Sequence, residues 1–158
     1  MRALVMQALL VVLSIAPTQA QTPRPKDAEL YIIYPRDGQW LRGEFPVRFG
    51  LRNMGVTYAG DTRPNSGHHH LLIDVNEPIE PDVPLPTSKQ YLHFGGGQTE
   101  TRVQLPPGRH TLQLVLGDAE HKPFDPILAS KKITVWVGSP KPRQRPVARR
   151  NTTTSAQR

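Results

Sequence analysis

Three consecutive histidines stand where a polar loop runs into an apolar stretch, in PNSGHHHLLIDV. Imidazole nitrogens bind zinc, copper, nickel and iron, and they also hydrogen-bond to buried carbonyls, so the run is either a metal site or a structural cluster. Side chains alternate along a strand, and Cα atoms two residues apart lie about 6.5 Å apart. We therefore expect His68 and His70 to share one face and one metal ion, and His69 to point inward and bond to buried backbone.

The elements that must hold these residues are predicted to be short strands. Apolar residues recur with period two, the chain has 17 prolines, and no stretch has a helical period. Turn signals such as PRDG, PPG and GGG separate the apolar runs. This pattern is typical of an all-β protein with a single immunoglobulin-like β-sandwich of about seven strands. The predicted strands are residues 30–34, 45–52, 68–75, 90–94, 99–105, 109–116 and 127–137, the last with a bulge or break near Ser130.

This strand order brings the histidines together. In an immunoglobulin-like sandwich the loops after the second, fourth and sixth strands gather at one end. The triple histidine follows the first of these loops, His93 precedes the second, and His121 lies in the third. The sequence therefore predicts a metal site, for copper or zinc, formed by His68, His70, His93 and His121. We expect Met54, Asp61, Glu100, Asp118 and Glu120 at the same end.

Other conspicuous residues have structural interpretations. His110 starts a strand at the opposite end, where such folds often carry a tyrosine that ties the corner to upstream backbone, so we interpret it as a structural histidine. Trp40 and Trp136 are predicted to pack in the core or at its rim rather than to form a platform for sugars. The three glycines of HFGGGQTE have no following helix, so they indicate a sharp loop or close approach of a ligand, not a phosphate cradle.

The two ends of the chain differ from its middle. Residues 1–20 have the layout of a signal peptide, with Arg2 before an apolar run and Ala20 last, which predicts a periplasmic or secreted protein. Residues 21–27 are predicted to be an N-terminal extension, 28–138 the sandwich, and 139–158 a disordered basic tail. No transmembrane segment is expected in the mature chain.

The charge excludes one class of partner. The formal net charge is +7, but seven of the 20 basic residues lie in the signal and the tail. The remaining 13 balance the 13 acidic residues, so a basic nucleic-acid binder is not expected. The tail could still attract an anionic envelope polymer.

The stretches GHHHLLID, LHFGGGQTE, LPPGRHTLQLVLGD and HKPFDP, in that order, resemble an uncharacterised family of exported bacterial proteins, domain of unknown function 4399. The resemblance covers roughly residues 51–137. It implies a small periplasmic or secreted domain with a histidine-rich signature, and it implies no particular reaction.

Two functions remain open. One is a small binding protein for a transition metal, copper or zinc. The alternative is a non-catalytic adhesion or envelope-assembly module in which the histidines are structural and the partner is an envelope protein or polymer. An enzyme is not expected, because the chain has no cysteine, no recognisable serine nucleophile motif and no histidine pair with metalloprotease spacing.

Overall fold

The computed structural model describes residues 22–138, and these form nine strands. The strands are β1 (Glu29–Tyr34), β2 (Gln39–Arg42), β3 (Phe45–Arg52), β4 (Gly55–Val56), β5 (Ser66–Ile73), β6 (Tyr91–Phe94), β7 (Glu100–Val103), β8 (Gly108–Gly117) and β9 (Ile133–Gly138). The predicted signal peptide and basic tail lie outside the described residues.

The strands form two sheets, which confirms the predicted β-sandwich. The smaller sheet has the order β1-β3-β7 and is antiparallel. The larger has the order β2-β9-β8-β5-β4, with β6 also paired to β5 beyond the end of β4. The main core contains alternating apolar residues from both sheets, such as Val47 and Phe49 of β3 and Leu112 and Leu114 of β8. It therefore lies between the sheets.

A second, smaller core covers the outer face of the larger sheet. Leu72 of β5 and Val115 of β8 pack there against Leu85, which belongs to the proline-rich connection between β5 and β6. Strand β5 is therefore buried on both faces, which explains why almost every residue of SGHHHLLI is inaccessible to solvent.

Some strand boundaries were predicted incorrectly. Strand β5 ends at Ile73 rather than at residue 75, because Asp74 adopts a positive φ of 56° and its carboxylate accepts a hydrogen bond from the Thr111 amide. Strand β9 begins at Ile133 because the preceding Ser130 is bonded to Leu114 through its amide and its hydroxyl. Strands β2 and β4 were not predicted.

The prediction that Trp40 and Trp136 pack in the core or at its rim is wrong. Trp40 is 71% exposed and Trp136 is 38% exposed. They are direct neighbours on the parallel strands β2 and β9, and their indoles stack with centroids 5.6 Å apart. On β9 the residues on either side of Trp136, Val135 and Val137, face the core, so Trp136 must face outward.

Candidate functional site: a buried histidine cluster

The two alternate histidines of β5 lie on the outer face of the larger sheet, beside a third histidine on β6. His70 is the register partner of His93, because β5 and β6 are antiparallel. The ring centroids of His68 and His70 are 4.9 Å apart, and that of His93 lies 5.0 Å from the first and 5.1 Å from the second. One nitrogen from each of the three rings lies within 4.8 Å of the others. Three imidazoles therefore face a common point.

His121 completes the cluster from the connection between β8 and β9. Its ring centroid lies 4.9 Å from that of His68, 5.9 Å from that of His70 and 4.7 Å from that of His93. All four residues predicted as metal ligands are thus brought together, with His121 outside the tighter set of three.

The backbone around His121 is held by several hydrogen bonds. The residue has a positive φ of 67°, which is uncommon for any residue other than glycine. Its amide donates to the Asp118 carbonyl, and its carbonyl accepts from the amide of Leu85 in the covering segment. The Asp118 carboxylate in turn accepts from the Lys122 amide and from the Thr22 hydroxyl. His121 is therefore fixed by both segments that close over the cluster.

The cluster is poor in hydrogen bonds for so buried a group. His68 and His70 have no exposed surface, and their Nε2 atoms lie 3.1 Å apart, so one Nε2–H donates to the other. Nδ1 of both residues and Nε2 of His93 are buried and have no hydrogen-bond partner within residues 22–138. An unpaired buried polar atom costs about 1–3 kcal/mol. A group bound among the Nε2 atoms would satisfy Nε2 of His93, whereas Nδ1 of His68 and His70 would need other partners.

The surroundings keep these imidazoles neutral. Burial lowers the pKa of His68 to about 4, and repulsion from His121 and His93 acts in the same direction, while Asp118 partly opposes it. Burial, followed by repulsion from His68, lowers the pKa of His70 to about 3. The pKa of His93 is also lowered, first by burial. Neutral imidazole is the form that carries a lone pair for a metal ion.

The other two histidines have structural contacts. His69 points between the sheets, where its ring lies 5.1 Å from that of Phe49 and its Nδ1–H donates to the Gln98 carbonyl. This is the inward orientation expected from alternation. His110 contacts the Asp74 carboxylate through Nδ1 and the Pro106 carbonyl through Nε2. Its bond to backbone four residues upstream is the corner contact predicted from the sequence.

Two glycines that the sequence analysis did not assign to the site make room for the rings. A Cβ atom on Gly117, the register partner of His68, would lie 2.9 Å from Nε2 of His70. A Cβ atom on Gly95 would lie 2.5 Å from Cε1 of His93. Both distances are below those of real contacts, so the rings could not keep these positions beside alanine. Neither glycine adopts a positive φ, so the requirement for glycine comes from the histidine ring beside each of them.

Three of the five side chains expected near the histidines are engaged elsewhere, and Glu120 is outside the group of described residues that could hold an ion, which leaves one exception. Met54 packs against the core between the sheets. Asp61 pairs with Arg63 and Glu100 pairs with Arg48, both at the surface. Asp118 is the exception, because it is buried and close enough to His68 to affect its pKa. Within residues 22–138 the candidate ligand set therefore contains nitrogen alone.

The residues of this cluster lie within the range matched by one family model. The chain belongs to the family described as Domain of unknown function (DUF4399), whose model matches residues 47–138. This confirms the resemblance carried by the histidine and glycine motifs, and the matched range contains all four clustered histidines. No curated protein matches the chain.

Two solved structures are similar to the chain. One is the endo-beta-1,4-mannanase from Thermotoga petrophila, with 14% identity and a TM-score of 0.44, over 72% of this chain and 20% of that one. The chain thus spans one fifth of the length of the mannanase. The other is the set of fibronectin(III)-like modules of Clostridium thermocellum CbhA, with 15% identity and a TM-score of 0.35, over 71% of this chain and 99% of that one.

Residues 22–138 contain no helix that is long and apolar enough to cross a membrane.

Proposed function

We propose that this protein binds one transition-metal ion, copper(II) or zinc(II), through His68, His70 and His93, with His121 as the fourth ligand. The observation that carries the proposal is the pair of buried Nε2 atoms 3.1 Å apart in a cluster with unpaired nitrogens. Two nitrogens bound tetrahedrally at 2.0–2.1 Å from one zinc ion are about 3.3 Å apart. The first two ligands therefore already have nearly the required separation.

The choice of metal follows from the ligand atoms. The chain has no cysteine, and Met54 is occupied in the core, so the set lacks the soft sulfur ligands that favour copper(I). Imidazole suits both zinc(II) and copper(II), and copper(II) binds such a site more tightly than zinc(II). The family range contains the whole site, so we extend the proposal to a role in metal sequestration or delivery.

If the clustered histidines were purely structural, their nitrogens should bond to oxygen atoms of the fold. Structural histidines bond to carbonyls or carboxylates, as His69 and His110 do here. Among residues 22–138, His68 and His70 bond to no oxygen atom and only to each other. This contrast within one chain favours metal binding by the cluster.

Metal content tests the proposal directly. The full sequence is expressed without affinity histidines, and the purified protein is analysed for copper and zinc before and after calorimetric titration with each ion. We expect about one equivalent bound at micromolar affinity or tighter, and loss of this binding in the His68→Ala, His70→Ala double variant. His110→Gln is the matched control and should still bind one equivalent. Absence of stoichiometric binding by the folded protein would refute the proposal.

We further propose that the protein works in the periplasm or outside the cell, on the basis of the composition of residues 1–20. Cell fractionation followed by mass spectrometry tests this: a chain that begins near Gln21 should appear in the periplasmic or culture fraction. A chain retained in the cytoplasm with residues 1–20 attached would contradict it.

A further inference from the structure

The stacked tryptophans lie on a part of the larger sheet that the proposed metal site does not use. Strand β2 is the edge of that sheet, and Trp40 stands on it with one indole face against Trp136. Strand β4 and the residues after it lie at the opposite edge. With 71% of its surface exposed, Trp40 leaves its other face open beyond the edge of the sheet. A planar ring of a ligand could extend the stack there.

Two arginines flank the indoles on the same face. Arg109 of β8 is the register partner of Trp136, and Arg42 follows Trp40 by two residues on β2. The outward positions of β2, β8 and β9 within residues 22–138 carry no carboxylate. They are Trp40, Arg42, Arg109, Thr111, Gln113, Val115, Gly117, Thr134, Trp136 and Gly138. We call Trp40, Arg42, Arg109 and Trp136 the tryptophan–arginine patch. It is a basic surface with an open aromatic face.

Strand β9 ends at Gly138, the register partner of Arg42. Residues 139–158 follow it in the sequence and have charge of the same sign as the patch. Those residues contain six lysines and arginines and no acidic residue. Like charges make the tail a poor occupant of the patch. The occupant is instead a molecule that carries negative charge.

The two indoles are too few for insertion into a membrane. The other large apolar residues that are strongly exposed within residues 22–138, Ile33, Tyr58 and Val83, do not belong to β2, β8 or β9. The apolar surface of the patch is therefore confined to one stacked pair, whereas membrane-binding faces carry a broad row of apolar side chains. Ring stacking on Trp40 with ionic contacts from Arg42 and Arg109 suits a chain of rings that bears anionic groups.

We propose that the tryptophan–arginine patch is a binding site for an acidic polysaccharide, in which one sugar ring stacks on Trp40 and its neighbours' anionic groups bind Arg42 and Arg109. This site goes beyond the proposed metal function and does not depend on it. A guanidinium group can donate two parallel hydrogen bonds to one carboxylate, whereas an ammonium group is a single point charge. Arginine at positions 42 and 109 should therefore bind the polysaccharide more tightly than lysine would.

Binding to four probes separates the sources of affinity. The purified full chain is titrated with oligogalacturonate, which has rings and charge, with neutral cellohexaose, with linear polyphosphate, and with vesicles of phosphatidylglycerol and phosphatidylcholine. Tryptophan fluorescence and calorimetry follow the binding. We expect oligogalacturonate to bind, cellohexaose to bind more weakly, and the affinity for oligogalacturonate to fall as salt screens the arginines.

Variants locate the binding. Trp40→Ala should weaken oligogalacturonate binding about tenfold or more, since a stacking anchor at the centre of a small site carries much of its affinity. Arg42→Ala should weaken it as well. Tyr58→Ala is the matched control, because Tyr58 is an exposed aromatic residue that follows β4. Trp40 is exposed, so its loss should leave the folded protein intact, which the unchanged metal titration of the same sample would verify.

Three results would overturn this proposal. They are failure of oligogalacturonate to bind, equal binding by polyphosphate with no effect of Trp40→Ala, and binding to vesicles alone. The second would assign the affinity to the basic tail, and the third to a membrane surface. None of them bears on the metal titration, so the two proposals can fail separately.

Discussion

The histidines of this chain divide into two kinds according to what their nitrogens contact. His69 and His110 each bond to an oxygen atom of the fold, whereas within residues 22–138 His68 and His70 bond only to each other. Buried nitrogens without a partner there remain on His68, His69, His70 and His93. The same side chain therefore supports the sandwich in one setting and offers lone pairs to a metal ion in another. The distinction gives each kind of histidine its own experimental signature.

Loss of His110 should reduce stability without affecting metal binding. His110→Ala removes the ties to the Asp74 carboxylate and the Pro106 carbonyl. We expect the free energy of unfolding to fall by about 1–3 kcal/mol, because the Pro106 carbonyl would lose its hydrogen-bond donor beside the buried position 110. Urea unfolding measures the change, and calorimetry should still detect one equivalent of metal. Loss of metal binding in a folded variant would show that the two ends are not independent.

Adding one methyl group at Gly117 should weaken metal binding. The new Cβ would lie 2.9 Å from Nε2 of His70, whose ring is fully buried and cannot swing aside into solvent. We expect Gly117→Ala to lower the metal affinity about 10–100-fold, as changes next to metal ligands commonly do. Gly138→Ala is the control, since its Cβ would meet no atom closer than 3.7 Å. Equal affinities for both variants would place the metal away from His70.

Among the elements, strand β5 is unusual because it contains three buried histidines and has neighbouring strands on both sides. Its alternation sends His69 to the core between the sheets and places His68 and His70 under the covering segments. Burial on both faces requires all three imidazoles to stay neutral. This requirement links the stability of the strand to pH.

The metal-free protein should lose stability as the pH falls below about 6.5. Burial lowers the pKa of His68 and His69 to about 4 and that of His70 to about 3, whereas in the unfolded chain each has its ordinary value near 6.5. Between these values the unfolded state binds more protons than the folded state, so acidification favours unfolding. The part of the stability that depends on these neutral histidines is fully present above pH 6.5 and is lost progressively toward pH 4 and below.

Thermal unfolding at a series of pH values measures this dependence. His69→Leu removes one of the three groups without touching the cluster, and it should make the loss of stability between pH 6.5 and 4 shallower. An unfolding temperature that does not change between pH 7 and pH 4 would contradict the burial of neutral histidines.

At the scale of the whole molecule, the cluster joins segments that are distant in sequence. Strands β5 and β6, the connection after β8 and the covering segment around Leu85 all meet at the four rings. A metal ion would therefore crosslink several parts of the sandwich. Such binding favours the folded state, since the unfolded chain has no assembled site.

Metal binding should accordingly raise the unfolding temperature. A free metal concentration of one hundred times Kd adds about 2.7 kcal/mol to the free energy of unfolding. For a domain of this size that corresponds to a rise of about 10 °C. Differential scanning calorimetry with zinc, followed by addition of a chelator, should show the rise and its reversal. The His68→Ala, His70→Ala double variant should show no rise.

Much of the site could be predicted because topology alone brings its loops together. The period-two pattern placed His68 and His70 on one face, and the sandwich strand order brought His93 and His121 to the same end. The sequence also indicates the outward position of Trp136, because Val135 and Val137 on either side of it are apolar and alternate with it. The prediction was wrong because it followed the usual burial of tryptophan instead of this alternation. The partner of Trp136, Trp40, lies on β2, a strand that the sequence analysis had not identified.

The remaining features depend on pairing across the fold. Strands β2 and β4 are short and pair in parallel with strands far along the chain, so no local pattern indicates them. The role of Gly117 depends on the ring of His70 on the neighbouring strand, and that of Gly95 on the ring of His93 two residues earlier in the chain. The positive φ of His121 likewise follows from the segments that hold its loop.

X-ray absorption spectroscopy of the metal-loaded protein identifies the atoms that bind the ion. We expect a first shell of three or four imidazole nitrogens, at about 2.0–2.1 Å for zinc, with at least one imidazole lost in the His70→Ala variant. A shell made only of oxygen, a shell containing sulfur, or a spectrum unchanged by the substitution would contradict this expectation.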